Sequence, residues 1–282
     1  MQKKIIKFEP ESLKVSIVTI SFNQARFLEK CILSVVNQEY KNIEYIVVDP
    51  GSTDGSREII EKYRDEISKV IYEPDSGPAD GLNKGFRHAS GHIYGFLNSD
   101  DILEPYAIRK IVDFFSTHEE YDVVSGHSWI IDENGKRIRR LYSDKFRLWM
   151  AACGACILSQ PSTFFSSEKF KEVDGFNVSN RIAWDGELFI DMALRGAKFS
   201  LIDEILSGFR VHPEAITGGG DWSHDRIDYG DRIFKKIHGK YASYVQKKVC
   251  FLFGNLRKFL NLRDTIQRVL HGPVFGASKK SH

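Results

Sequence analysis

The sequence predicts an α/β protein built on a mostly parallel sheet with helices on both faces. Two observations lead to this fold class: short β-branched strands alternate with amphipathic helices, and a polar cluster follows the end of each strand. The 282 residues are 42% hydrophobic and 28% charged, which is enough for one sizeable core. Parallel sheets bind their ligands beyond the carboxyl ends of the strands, so the polar clusters mark the expected site.

The first hundred residues contain the clearest elements. Val15–Ile20 is a β-branched run typical of a buried strand, and apolar residues then recur at helical spacing over residues 24–38. Further strands are predicted at residues 45–49, 70–72 and 93–97, and further helices at residues 56–64 and 80–89. This alternation is the basis for the parallel sheet.

The remainder of the chain is less regular. Strands are predicted at residues 122–126, 129–131 and 199–202, and helices at residues 102–115 and 186–195. A basic, amphipathic and therefore helical stretch follows at residues 234–270. We predict a catalytic domain over residues 1–230 and a C-terminal helical segment over residues 231–282, with the boundary after the glycine run at 218–220.

Charge is distributed unevenly along the chain. The net charge of +2 is made of +11 over residues 232–282 and −9 over residues 1–231. Such a tail suggests contact with an anionic membrane surface, although its apolar residues could equally pack on the catalytic domain or on a second subunit. No recognition motif accompanies the basic strip, so nucleic acid is not an expected partner. Neither an export signal nor a membrane span is found, and we expect a cytosolic protein, peripheral on the inner membrane face if the tail binds lipid.

The cysteines give no clear chemical signal. Cys153 and Cys156 have the spacing of a metal or redox pair, but no second pair of cysteines or histidines completes a zinc site. We therefore expect two small buried thiols without a chemical role.

Two adjacent carboxylates end the fourth predicted strand. Asp100 and Asp101 repel one another unless a cation lies beside them, and carboxylate oxygens suit Mg²⁺ or Mn²⁺. Such a cation can neutralise a diphosphate as a leaving group. Taken alone, the pair is equally compatible with a solvated acidic turn or with a helix N-cap.

The surrounding motifs resemble those of the inverting family 2 glycosyltransferases, which have the GT-A fold. The matching segments occur in the family's order across residues 13–217, and several short matches in one order are more specific than any single motif. They lie at residues 15–23, 47–56, 80–86, 91–101, 160–165, 173–176, 184–190 and 209–212. The resemblance implies a metal-dependent enzyme that transfers a sugar from a nucleotide-sugar donor, with inversion, to a glycan or lipid-linked glycan in surface polysaccharide biosynthesis. UDP is the expected nucleotide, with dTDP and GDP open.

The resemblance also assigns residues to the donor. Asp49 is expected to accept from the N–H of uracil or thymine, and Asn98 replaces the common acidic first residue of the metal motif. Asp54 is equally a natural turn residue, and Lys84 is equally a solvated surface lysine. The complete set of expected nucleotide-sugar contacts is Thr19, Ser21, Asn23, Asp49, Asp54, Asp80, Asn83, Lys84, Asn98 and Ser99.

The remaining assignments concern the metal and the chemistry. Asp100 is the preferred ligand of the metal, Asp101 supports it or caps a helix, and His212 is expected to close on the metal or the diphosphate. Asp185 stands at the position of the family's general base, with Glu187 as the fallback, although both acids could simply cap a helix.

Other functions remain open at this point. A sugar-phosphate nucleotidyltransferase shares the layout, but its first strand is normally followed by a glycine-rich loop with a basic residue, and residues 21–24 are Ser-Phe-Asn-Gln. A dinucleotide-dependent dehydrogenase would require a Gly-x-Gly-x-x-Gly motif there, which is absent. A non-catalytic relative that only binds a nucleotide-sugar is the third alternative.

Overall fold

The structure is a computed structural model that describes residues 9–215 and 223–272. Its first half is a run of strands joined by crossover helices, all near the predicted positions. The elements are β1 (Val15–Ile20), α1 (Ala25–Val36), β2 (Ile43–Val48), α2 (Ser56–Lys62), β3 (Lys69–Ile71), α3 (Pro78–Arg87) and β4 (Ile93–Asn98). β1 pairs in parallel with β2 and β4, and β2 pairs in parallel with β3. The predicted parallel sheet is therefore confirmed in this half.

The second half adds strands of both directions to the same sheet. Its elements are β5 (Ile102–Leu103), α4 (Ala107–Thr117), β6 (Val123–Ile131), β7 (Arg137–Leu141), α5 (Leu148–Ala151), β8 (Thr163–Ser166), α6 (Ser167–Glu172), α7 (Trp184–Leu194), β9 (Phe199–Arg210), α8 (Ser223–His238), α9 (Tyr244–Leu260) and α10 (Leu262–His271). The strand order is β3-β2-β1-β4-β8-β6-β9-β5, with β7 beside β6. β8 runs antiparallel to both of its neighbours, so the sheet is mixed beyond β4.

Three predicted boundaries in this half are wrong. The strands expected at 122–126 and 129–131 are one strand, β6, whose register against β9 shifts around His127. The strand expected at 199–202 continues to Arg210, because polar residues and a glycine interrupt its apolar pattern without ending the pairing. The helix expected from residue 102 begins at Ala107, because residues 102 and 103 pair with β9 as β5.

Helices cover both faces of the sheet, as predicted. Ile17 of β1 faces a core that contains Leu28 of α1 and Ile111 of α4. Its neighbour Val18 points to the opposite face, where α3 and α7 complete a second core. α3 lies so close to β1 that a Cβ atom at Gly85 would be 2.4 Å from Val18 Cγ1. This close approach brings the loop before α3 to the carboxyl end of β1.

Of the C-terminal helices, α10 contacts β7 of the sheet, α8 is bonded to α7, and α9 is bonded to the segment after β7. α8 runs through residue 230 without a break, so the predicted boundary falls inside a helix, and the division into two units stays a prediction. A disulfide joins Cys153 to Cys250 of α9, so the expectation of a free thiol is wrong for Cys153. Cys156 remains a free thiol. None of the helices in the described ranges is long and apolar enough to cross a membrane.

Candidate active site

A cavity of about 590 Å³ opens where β1 and β4 end. Its wall is built from the residues that follow these strands, the loop before α3, the beginning of α7 and the last residues of β9. The cavity therefore lies at the edge of the sheet where the strand-end rule predicted the site.

The pairing of β5 with β9 determines what faces the two carboxylates. Ile102 lies opposite Gly208, so the chain that follows Gly208 runs alongside Asp101 and Asp100. The backbone N–H of Arg210 donates to Asp101 Oδ1 at 2.8 Å, and Arg210 Nε donates to the backbone oxygen of Asp100 at 2.6 Å. His212 Nε2 lies 3.0 Å from Asp100 Oδ2. Asp100, Asp101 and His212 are thus brought together as predicted, but Asp101 receives a strand N–H and does not cap a helix.

Two acceptors in this cluster are left open. Within the part of the chain that the structure describes, Asn98 Oδ1 and Asp101 Oδ2 are buried and have no hydrogen-bond partner. Burial, together with the negative charge of Asp100, raises the pKa of Asp101 well above its usual range. Open buried acceptors beside two carboxylates are the chemistry that a hard divalent cation requires.

The fit to a metal is nevertheless incomplete from protein atoms alone. Across residues 9–215 and 223–272, no group of three or more His, Cys, Asp or Glu side chains is arranged to bind a metal ion. His212 and Asp100 are hydrogen-bonded to each other in this arrangement. Mg²⁺ commonly takes much of its shell from water and substrate phosphates, and a site with few protein ligands suits that mode.

Two polar atoms just after the ends of β1 and β2 have no hydrogen-bond partner among the described residues. Ser21 lines the cavity, and its Oγ has no partner among the described residues. Asp49 is fully buried at the end of β2, where Oδ1 accepts from Ser52 N–H at 2.9 Å and from Arg57 Nε at 3.0 Å. Asp49 Oδ2 is buried without a partner in the same described set, directly before Pro50 of the cavity wall. Both residues therefore keep an open polar atom, and their contact with the nucleotide-sugar stays a prediction.

Three other predicted donor contacts are engaged with protein instead. Thr19 is fully buried, and its hydroxyl lies 3.1 Å from the Tyr45 hydroxyl in the core. Asn23 Oδ1 accepts from Thr53 N–H at 2.9 Å, and Asp54 Oδ2 accepts from Ala25 N–H at 2.8 Å. Asn23 and Asp54 tie the loop after β1 to the loop after β2. Thr19 is therefore enclosed in the core, whereas the direct contact of Asn23 and Asp54 with the donor stays a prediction.

The predicted donor-binding residues of α3 also form hydrogen bonds with other parts of the protein. Asn83 exchanges two hydrogen bonds of 2.8 Å with the backbone of Phe176. Asp80 Oδ2 accepts from Ser76 N–H at 3.0 Å, and Lys84 Nζ donates to the Pro74 carbonyl. Asp80 and Lys84 thereby fix the loop at 74–77, which lines the cavity. Their direct contact with the donor stays a prediction.

The two acids at the start of α7 have different surroundings. Asp185 is half-buried and lines the cavity, and burial raises the pKa of its carboxyl. Glu187 is 1% exposed and accepts from Arg232 Nη1 at 2.6 Å and from Lys236 Nζ at 2.9 Å. Asn177 and Asn180 donate to the same carboxylate. Glu187 is therefore an anchor for α8, and its expected role as the fallback base is wrong.

Ser99 is present in the cavity, and several further residues there were not predicted. Asp75 lines the cavity in the turn after β3, where the strand-end rule could have found it. The indole N–H of Trp184 is buried in the wall and has no partner within the described ranges. Arg210 is 1% exposed, although an arginine at a strand end would ordinarily be read as a surface residue.

Comparison with known proteins supports the same assignment. The family model described as glycosyl transferase family 2 matches residues 16–173, more than half of the chain. The chain is 28% identical over 211 residues to the uncharacterized glycosyltransferase alr2836 of Nostoc sp., a match that covers 71% of this chain and 65% of that protein. It is 25% identical over 233 residues to TuaG of Bacillus subtilis, a putative teichuronic acid biosynthesis glycosyltransferase, covering 82% and 92% of the two chains. The chain therefore spans less than two thirds of the length of the first of these relatives.

Solved structures share the fold. S. aureus TarS 1–349 in complex with UDP-GlcNAc superimposes with a TM-score of 0.67 at 19% identity, covering 91% of this chain and 74% of that one. The mannosyltransferase PcManGT from Pyrobaculum calidifontis, in complex with GDP-Man and Mn²⁺, gives a TM-score of 0.62 at 17% identity, covering 100% and 80%. The predicted GT-A fold is confirmed by these matches. With the family model over half of its length and the cavity at the expected sheet edge, the chain belongs to glycosyl transferase family 2.

Proposed function

We propose that the protein is an inverting glycosyltransferase that uses a nucleotide-sugar donor and a divalent cation, Mn²⁺ or Mg²⁺. The observation that carries this proposal is the combination of groups in one cavity. Asp100 lies at the end of β4 beside the open acceptors of Asn98 and Asp101, and Asp185 enters the same cavity from α7. Family membership supports sugar transfer over other reactions of α/β proteins.

Each group has a separate task in this proposal. Asp100 would bind the metal, with His212 orienting its carboxylate through their 3.0 Å contact. The bound metal would supply neutralisation of the diphosphate leaving group. Asp185 takes the proton from the acceptor hydroxyl as the new glycosidic bond forms, because its raised pKa makes it a stronger base than an ordinary aspartate.

We propose UDP as the nucleotide. The open Oδ2 of Asp49 can accept from the N3–H of uracil, while Arg57 and two backbone N–H groups neutralise Oδ1. Ser21, whose hydroxyl is open in the cavity wall, adds a further polar contact. The structure of TarS with UDP-GlcNAc, a protein of the same fold, supports this choice.

We propose a glycan or lipid-linked glycan as the acceptor, within surface polysaccharide synthesis at the inner face of the membrane. The support is the similarity to TuaG over 82% of this chain. The apolar part of the cavity lining, with Phe22, Ile182 and Trp184, suits the apolar face of a sugar ring.

A screen of donors tests the function. Thermal unfolding would be followed with UDP-, dTDP- and GDP-sugars, each with and without Mn²⁺, since a ligand that binds only the folded protein raises its Tm. We expect UDP-sugars with Mn²⁺ to give the largest shift, and the best donor to be hydrolysed slowly without acceptor. If the protein instead consumes a nucleoside triphosphate and a sugar phosphate and releases pyrophosphate, it is a nucleotidyltransferase. Binding without turnover of any donor, with or without glycan acceptors, would identify a non-catalytic relative.

A further inference from the structure

α10 is amphipathic in the reverse of the usual sense, because Asp264 and Gln267 face the protein while its large apolar residues face solvent. Asp264 is 1% exposed and accepts from Arg268 Nε at 2.7 Å and from Arg257 Nη2 at 3.2 Å. Gln267 accepts from the backbone N–H of Arg140 in β7 at 3.0 Å. The opposite side carries large apolar residues at i, i+4, i+7 and i+8, each at least half exposed, namely Leu262, Ile266, Val269 and Leu270. An outward stripe of this kind has no folding role in the described chain.

α9 presents a similar outward side. Tyr244, Phe251, Leu252 and Phe259 are between 61% and 73% exposed, and they recur at helical spacing around Lys248. Trp149 of α5, 43% exposed, lies beside this helix with its ring 4.8 Å from that of Phe253. Large aromatic residues mixed with lysine are typical of helices that lie in a membrane interface.

A disulfide and hydrogen bonds hold the side of α9 that faces the protein, so the helix cannot rotate about its axis to bury its apolar residues. Cys250 is bonded to Cys153 of the catalytic domain. Arg257 Nε donates to Asp144 at 2.6 Å, and Asn261 Nδ2 donates to the same carboxylate at 2.7 Å. The exposed residues of α9 and α10 therefore form a fixed surface.

The charge of this surface distinguishes between two partners that could cover it, a second copy of the protein and an anionic lipid surface. Between Gly239 and Gly272 the sequence contains one acidic residue, Asp264, which is buried in its arginine cluster. The exposed charges of α9, including Lys248 and Lys258, are therefore all positive. A second copy docked through the same side would bring lysines together without a carboxylate to neutralise them, whereas anionic headgroups complement them.

We propose that α9 and α10 form a docking face for an anionic lipid bilayer. The face consists of Tyr244, Phe251, Leu252 and Phe259 of α9 and Leu262, Ile266, Val269 and Leu270 of α10, with Lys248 and Lys258 toward the headgroups. The inference does not depend on the proposed sugar transfer, since it rests on exposure and charge outside the cavity.

Sedimentation of the full chain with vesicles tests the proposal. We expect binding to vesicles of phosphatidylcholine with phosphatidylglycerol at low salt, and much weaker binding to phosphatidylcholine alone. The triple variant Phe251→Gln, Phe259→Gln, Val269→Gln should lose about tenfold or more of the vesicle affinity. Lys248→Gln with Lys258→Gln should weaken binding at low salt and have little effect at high salt, where surface charge is screened.

A control variant replaces three partly exposed apolar residues elsewhere in the protein. Ile138→Gln, Val178→Gln and Leu194→Gln change residues that are 41% to 48% exposed on the catalytic domain, and this variant should bind vesicles like the wild type. An equal Tm for all variants would show that each is folded. The proposal is overturned if the wild type stays in the supernatant at low salt, or if the α9–α10 variant binds as well as the control. It is also overturned if light scattering shows a dimer that only the α9–α10 variant dissociates, since a second copy would then cover the face.

Discussion

Asp185 and Glu187 lie two residues apart on α7, and their surroundings shift the pKa values of their carboxyl groups in opposite directions. Burial raises the pKa of Asp185 beside the cavity. Burial alone would also raise that of Glu187, but hydrogen bonds from Arg232, Lys236 and Asn177 outweigh it and lower the pKa to about 2. A proton acceptor must be free to approach a substrate, so only Asp185 suits catalysis.

Asp185→Asn should therefore reduce transfer by about 10²–10⁴-fold while nucleotide affinity and stability stay close to wild type. The wild-type rate should fall on the acid side as Asp185 becomes protonated, with a midpoint above the ordinary pKa of aspartate because the folded pKa is raised. Steady-state kinetics across pH, with the exposed Asp113→Asn as control, measures both effects. An undiminished rate in the variant would exclude Asp185 as the base.

Asp100→Ala should remove metal-supported donor binding, because it deletes the carboxylate that His212 orients. Calorimetry with UDP, in the presence and absence of Mn²⁺, measures the difference. In the wild type we expect clearly tighter binding with Mn²⁺, and in the variant equal binding under both conditions. If the wild type itself binds UDP equally with and without Mn²⁺, the metal has no part in donor binding.

At the scale of elements, α7 and α8 are joined by one buried carboxylate. Glu187→Gln keeps the shape but leaves Arg232 and Lys236 without their anionic partner. A lowering of the pKa from 4.5 to about 2 corresponds to about 3 kcal/mol of folding free energy. We expect a loss of that order in urea unfolding, with α8 detaching most easily.

The stability lost in Glu187→Gln should depend on pH, because the pKa of Glu187 is lowered in the folded protein. A group with a lowered folded pKa stabilises the protein above its unfolded pKa, and the effect is lost as pH falls through the folded value. The stability difference between wild type and Glu187→Gln should be largest above about pH 4.5 and shrink toward pH 2. A difference that is constant over this range would indicate that the ion pairs contribute nothing.

The elements that the sequence predicted best are those whose pattern is local. β1 to β4 are runs of apolar residues with helices of clear periodicity between them, and each was found within two residues of its position. β9 was found only in part because its partners are distant in sequence, and pairing with β6 and β5 compensates for its polar residues. The site residues likewise divide into those with a local sequence pattern and those whose contacts are distant in sequence. Strand-end positions such as Asp100 were accessible to sequence reasoning, whereas the use of Asn83 depends on Phe176, which is remote along the chain.

At the scale of the whole molecule, the disulfide connects the turn after α5 to α9 across 97 residues. A cross-link over a loop of this length stabilises by about 4–5 kcal/mol in the loop-entropy model. Disulfides are uncommon in reducing compartments, so this pairing and the expected cytosolic location point to different redox conditions. The location stays a prediction.

Thiol counting in the unfolded protein tests the pairing directly. We expect two reactive thiols, Cys31 and Cys156, in unreduced protein, and four after reduction. Cys250→Ser should lower the unfolding midpoint in urea, while Cys156→Ser should not. Four thiols in freshly prepared, unreduced protein would mean that Cys153 and Cys250 are not bonded.

The pairing of Ile102 with Gly208 also limits how this protein can change in evolution. Side chains alternate between the faces of a strand, so a one-residue insertion or deletion inside β9 would reverse the side of every residue after it. Arg210 would then turn away from Asp100, and His212 would follow it. The number of residues from Gly208 to His212 should therefore stay constant among members of the family that remain active.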